Sequence, residues 1–204
     1  MEYATNQDIA SQTGRLGTGF ASNTRLMLKH IATHEDRVWN RAPGMSAVAD
    51  YTAPSLMVSL PRGRDAAALV AELCSMLHSQ GLISDQESFY HAVLAHEKLS
   101  STAMPPGWAL PHARLAGIPR LSFVLGRTRE PIAWFGGERV TTVFLCAVPE
   151  AEAGAYLGLI SGLARLSQDT ARLRRLEDAP DSQAMFDVLQ EIPLPGSPAP
   201  ALNS

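Results

Sequence analysis

Of the six histidines in this 204-residue chain, His112 has the surroundings of a reactive group. It follows Pro111 in a stretch that also holds Pro105, Pro106 and Gly107. Proline fixes its own φ and biases Leu110 toward an extended shape, so the backbone beside the imidazole is held still. Rigidly held loops are where reactive side chains concentrate. Arg114 lies two residues on and shares a face with His112 if the segment is extended. A neutral imidazole is a nucleophile near neutral pH, and a guanidinium holds an incoming phosphoryl group well. The same pattern also suits a turn histidine satisfied by a backbone carbonyl.

The other histidines carry less. His30 and His34 have the spacing of two metal ligands on one helix face, but no third ligand accompanies them, and they read as a solvated face. His78 falls near a helix end, where a cation complements the dipole. His91 reads as surface, and its spacing from His96 does not put the two on one face. A metal-dependent hydrolase built from His91, His96 and His112 lacks a recognised ligand spacing and an acidic cluster, so no metal is expected.

The net charge is -3, and the arginines are scattered rather than gathered into a stripe. That argues against nucleic acid as a partner, since phosphate neutralisation supplies most of such affinity. Cys74 and Cys146 sit in apolar runs and read as buried free thiols. The opening MEYATNQDIASQ lacks the basic and apolar regions of a signal peptide, and no apolar run approaches the roughly 20 residues of a membrane helix. A cytoplasmic protein without membrane insertion is expected.

The elements that must position His112 follow from periodicity and caps. Residues 1–54 read as an N-terminal extension, with a weak helix over about Asn23–Trp39 and a linker over 40–54. The domain proper is expected over 55–192. SLMVSL (55–60) reads as a strand. Asp65 caps a helix carrying Leu69, Val70, Leu73 and Leu77, which Gly81 ends. Ser84 and Glu87 form a capping-box pair opening a helix to about Glu97, with Phe89, Val93 and Leu94 as its stripe. LSFVLGR (121–127) and VTTVFLCAV (140–148) are the clearest strands, the second apolar enough to be covered on both faces. IAWF (132–135) reads as a short edge strand before the Gly136–Gly137 turn. Tyr156, Leu157, Ile160, Leu163 and Ala164 mark a later helix. Asp169, and then Asp181 or Ser182, cap two more. Residues 193–204 read as a disordered Pro-rich tail. Helices on both sides of a β-rich centre imply an α/β sandwich.

The run LAHEKLSSTAMPPGWALPHAR (94–114) resembles the signature of the mannitol- and fructose-type enzyme IIA family, which includes the nitrogen-regulatory IIA proteins. That signature has an Arg-Glu pair, a Ser/Thr step, a glycine-containing loop and an Ala-hydrophobic-Pro-His run. His96-Glu97, Ser101-Thr102, Gly107 and Ala109-Leu110-Pro111-His112 fill those places here. AALVAELCSMLHSQGLISDQESFYHAVL (67–94) and VTTVFLCAVPE (140–150) are similar to the family's flanking helices and strand, and the resemblance covers about 55–192.

The resemblance implies a mixed β-sheet sandwiched by helices, the mannitol/fructose-type enzyme IIA fold. It implies a relay in which His112 takes phosphate from a histidine phosphocarrier protein. The phosphate then passes to a permease domain or serves as a signal to a regulatory protein. Phosphoenolpyruvate is the ultimate donor, and no bound cofactor is expected. His96, Arg114, Tyr156, Ser101 and Thr102 are expected to line the phosphate site. The absence of a permease domain from these 204 residues favours the regulatory branch.

Two positions depart from the family. His96 stands where arginine is usual, and Tyr156 where many members have a second histidine. Neither brings a fixed charge. Weakened phosphotransfer is therefore expected, with a degenerate IIA-like module that docks a regulatory partner as the alternative. Trp108 and Met104 are apolar near the loop and suit either docking or packing against the sheet.

Overall fold

A computed structural model describes residues 47–60 and 65–195. The helix expected over 23–39, with His30 and His34, lies outside the described residues, as does the tail from 196.

Alternating and continuous apolar runs build one mixed sheet. Its centre is a hairpin of β5 (Ser122–Ala133) and β6 (Arg139–Pro149), closed at Gly136 and Gly137. Gly137 has φ 88°, a conformation that favours glycine. IAWF is not a separate edge strand. Its Ile132 and Ala133 end β5, past an irregularity between Arg127 and Ile132, and Trp134 and Phe135 lead into the turn. β1 (Met57–Leu60) pairs parallel to β5. Along the other edge of β6 run β3 (Trp108–Ala109) and β4 (His112–Leu115), both parallel to it, and β2 (Ala103–Met104) pairs antiparallel to β3. Between β3 and β4 the ladder persists, because the Pro111 carbonyl accepts from the Cys146 N–H at 2.9 Å.

The described residues form helices α1 (Ala66–Ser79), α2 (Gln86–Leu99), α3 (Ala153–Gln168), α4 (Thr170–Asp178) and α5 (Ser182–Gln190). Asp65, Asp169 and Asp181 cap α1, α4 and α5, as their positions predict. The cap of α2 is Asp85 rather than Ser84. The Asp85 carboxylate accepts from the Ser88 N–H on one oxygen and from the Ser88 hydroxyl on the other. α3 starts without a side-chain cap.

Side chains leave each strand on alternate faces. Val143, Leu145 and Ala147 of β6 pack with α1 and α2, and Phe144, Cys146 and Val148 pack with α3, α4 and α5. The fold is therefore an α/β sandwich with helices on both faces. Trp108 belongs to the second face: it is 1 % exposed, with its ring 4.9 Å from Phe144. Met104 packs against the same core. Both serve packing, because a paired strand turns alternate residues into a layer. Among the described residues, the exposed large apolar side chain is Leu99, at the end of α2.

The ordered domain extends past the expected limits. Residues 47–54 read as linker, yet two short 3-10 turns (Val48–Tyr51 and Pro54–Leu56) bury Val48, Tyr51 and Leu56. The Val48 N–H donates to the Ile192 carbonyl at 2.9 Å, and Ala47 bridges Pro193. Leu194 is buried, so the start of the supposed tail packs as well. Turns this short show no periodicity in a sequence.

Val48 lies against Gly162 of α3, where an added Cβ would sit 2.5 Å from Val48 Cγ2. Gly162→Ala is therefore expected to destabilise by about 1–3 kcal/mol through overpacking. Val48→Ala in the same protein should relieve part of that loss. Chemical denaturation of the four proteins of the cycle checks this, and additive losses would contradict the contact.

Cys74 and Cys146 are free and buried, as expected, and burial pushes both thiols up to about 12.

Candidate functional site

His112 opens β4 at the sheet edge. Its neighbour Ala113 points to the α1–α2 layer, which turns His112 the other way. The half-buried ring has its Nδ1 3.2 Å from the Leu110 carbonyl. A carbonyl only accepts, so Nδ1 carries the hydrogen and Nε2 keeps its lone pair. The hydrogen bond expected of a backbone-satisfied turn histidine is thus also one that leaves Nε2 open, since the carbonyl selects the tautomer. Burial, with the nearness of His96, pushes the imidazole down to about 4, against the opposing pull of the Leu110 hydrogen bond. At neutral pH the ring is uncharged.

Two helix ends from opposite layers meet on this ring. His96, in the last turn of α2, has its ring centroid 4.6 Å away. Tyr156, at the start of α3, lies at 5.1 Å. Burial, then Cys146 and Glu97, hold the Tyr156 phenol well above its usual range, so it stays protonated. The first N–H groups of a helix lack intrahelical partners and form its positive end, and α3 has no side-chain cap over them.

The residue after His96 is a buried carboxylate. Glu97 is 1 % exposed. It accepts from the Thr102 N–H at 3.0 Å, the Thr102 hydroxyl at 2.6 Å and the Trp134 indole N–H at 2.7 Å. The Thr102 hydroxyl in turn accepts from the Leu110 N–H at 3.2 Å. A chain of hydrogen bonds therefore runs from Trp134 through Glu97 and Thr102 to Leu110, whose carbonyl orients His112. Burial raises the Glu97 carboxyl, against the Thr102 and Trp134 hydrogen bonds and the nearby His96.

The structure brings His96 and Tyr156 onto His112. The Thr102 hydroxyl is occupied by Glu97 and Leu110 and offers no donor to a ligand. Ser101 donates to Glu138 at 3.1 Å and accepts from the Ala103 N–H, so it ties the loop. Arg114 is exposed, and its guanidinium donates to the Glu150 carbonyl. His91 sits exposed beside Glu87 at 3.8 Å. Glu97 as the keystone was not foreseen from sequence. Its signal was available: it falls on the Phe89–Val93 stripe at helical spacing, where a carboxylate must be buried and paired. Among the described residues, no helix is long and apolar enough to cross a membrane.

Comparison with known proteins agrees with this architecture. The family model described as phosphoenolpyruvate-dependent sugar phosphotransferase system, EIIA 2, matches residues 55–192. A nitrogen regulatory protein of Bradyrhizobium diazoefficiens is 30% identical over 107 residues, 52% of this chain and 70% of that protein. The 2-O-alpha-mannosyl-D-glycerate-specific EIIABC component of Escherichia coli is 36% identical over 107 residues, which span 50% of this chain but only 16% of that component. Among solved structures, the nitrogen regulatory protein IIA-Ntr from Neisseria meningitidis superposes with a TM-score of 0.62 at 25% identity, over 70% of this chain and 98% of that one.

Proposed function

The chain belongs to the EIIA 2 family of the phosphoenolpyruvate-dependent sugar phosphotransferase system, and from that premise we propose that it is a regulatory phosphocarrier whose acceptor is Nε2 of His112. The observation that carries the proposal is the Nδ1 hydrogen bond to Leu110, which leaves the Nε2 lone pair free on a neutral ring.

The donor is a histidine phosphocarrier protein, and the onward partner is a permease domain or a regulatory protein, in the cytoplasm. The regulatory branch is favoured because the similarity to a nitrogen regulatory protein spans 70% of that relative. In the transfer the Nε2 lone pair attacks phosphorus, and the donor's N–P bond breaks with its electron pair returning to the donor ring. The Nδ1–H remains on the Leu110 carbonyl and stabilises the charge that the ring acquires. The uncapped start of α3 and the Tyr156 hydroxyl supply neutral donors for phosphoryl oxygens. Glu97 and Thr102 act as positioning residues through Leu110.

Incubation with phosphoenolpyruvate and the purified donor relay tests this. Acid-labile label is expected on His112 and none on His112→Gln, whereas equal labelling of His112→Gln would move the acceptor elsewhere. A second reading, a module that docks a regulatory partner without accepting phosphate, is favoured by one observation: the Arg114 guanidinium is engaged by the Glu150 carbonyl. That reading predicts an unlabelled wild type that still binds its partner.

A further inference from the structure

The rings of His96 and His112 lie with their centroids 4.6 Å apart and their planes tilted by 56°. The Nδ1 of His96 is buried and has no hydrogen-bond partner. Buried polar atoms are nearly always satisfied, so one left open beside a nucleophile awaits a group that arrives. Imidazole is also the side chain that changes charge across the physiological range.

The charges around His96 leave this task to it. On α2, the adjacent Glu97 turns its carboxylate to Thr102 and Trp134, and Lys98 is exposed. On β4, His112 is held neutral by burial, and Arg114 is engaged by the Glu150 carbonyl. From α3 comes Tyr156, a protonated phenol, and just before that helix Glu152 accepts from the Leu121 N–H. The thiol of Cys146 on β6 is likewise protonated. Among these groups none presents a fixed cation to the His112 ring.

We infer that His96 is a catalytic residue of this site, the proton-binding counter-ion of the phosphoryl group, so that phosphoryl transfer to His112 and proton uptake by His96 are coupled. The inference rests on His112 as the acceptor and deepens that reading. Transfer moves a PO3 unit carrying one net negative charge. The Nε2–P bond forms, the donor's N–P bond breaks, and the electron pair of the broken bond stays on the donor ring. A proton from water then binds His96 and offsets the added charge, and it returns to water when the group departs. Opposite charge at contact distance favours the protonated ring.

The test uses the full chain and a purified histidine phosphocarrier protein as donor. The equilibrium constant for transfer is measured from about pH 6 to about pH 9, across the range in which imidazole titrates. Three proteins are compared: wild type, His96→Arg with a permanent charge, and His96→Gln with none. Dividing each profile by that of His96→Arg removes the donor's own titration. The wild-type ratio should fall by up to about tenfold per pH unit on its alkaline side, the slope of a one-proton linkage. The His96→Gln ratio should be low and flat. Labelled His112 with parallel profiles in wild type and His96→Gln would overturn the role of His96 alone. No label in any of the three at any pH would overturn His112 as the acceptor, and this inference with it.

Discussion

Replacing Glu97 by alanine is expected to lower the unfolding free energy by about 4 kcal/mol, a large share of the roughly 5–15 kcal/mol that holds a domain together. Three donors converge on this carboxylate: the Thr102 N–H, the Thr102 hydroxyl and the Trp134 indole. Each buried donor left without an acceptor costs about 1–3 kcal/mol, and water entering the vacated space recovers part of the total. Glu97→Gln separates charge from shape. Its amide oxygen can serve two donors, while its NH2 meets the Thr102 hydroxyl, which must then accept rather than donate. The three contacts survive, but the Thr102 O–H is left without an acceptor, for about 1–3 kcal/mol. Denaturant titration of both variants checks the order. Equal losses would mean that the three hydrogen bonds are not what holds this corner.

The second large effect is a dependence of stability on pH. His112 titrates at 6.5 in its ordinary state and is pushed down to about 4 in the fold. Between those values the unfolded chain binds a proton that the folded chain refuses, so stability falls as pH falls through that window. At about 1.4 kcal/mol per pH unit, the loss reaches roughly 3 kcal/mol at the acid end. Glu97 works in the opposite sense. Its raised carboxyl binds a proton more tightly in the fold, so its contribution declines as pH rises above 4.5. The difference between wild type and His112→Gln cancels Glu97, which both share. That difference should open below about pH 6.5 and level off near about pH 4. Parallel stability curves for the two proteins would exclude a neutral, buried His112.

Much of this architecture was legible in the residues. The continuous apolar run of 140–148 is the covered central strand, and Asp65, Asp169 and Asp181 sit where the helices begin. These signals are local, and the structure has no reason to override them. The extended, held backbone at His112 was legible because Pro111 fixes the segment before it. Glu97 was not, because its importance lies in partners five and 37 residues away in sequence, which no local pattern joins. Ser101 and Thr102 looked like ligands for phosphate. Hydroxyls beside a histidine look the same whether they face a ligand or a carboxylate, and only the path of the chain decides. Trp108 was ambiguous for a similar reason: a two-residue strand is too short to declare which face it buries.

The bridge between Ala47 and Pro193 has a topological consequence. It brings two points nearly a domain apart in sequence to neighbouring positions on the surface of the α3–α5 layer. The segment between them is close to a closed ring, and a short joint could seal it. The chain could then be opened at an exposed turn, such as the one at Gln80 and Gly81 between α1 and α2, with every strand keeping its neighbours. Such a permuted molecule would make β1 and α1 last, after α2 and the whole α3–α5 layer. The seam where His96 and Tyr156 close on His112 would keep its chain order and be made before α1 covers the sheet.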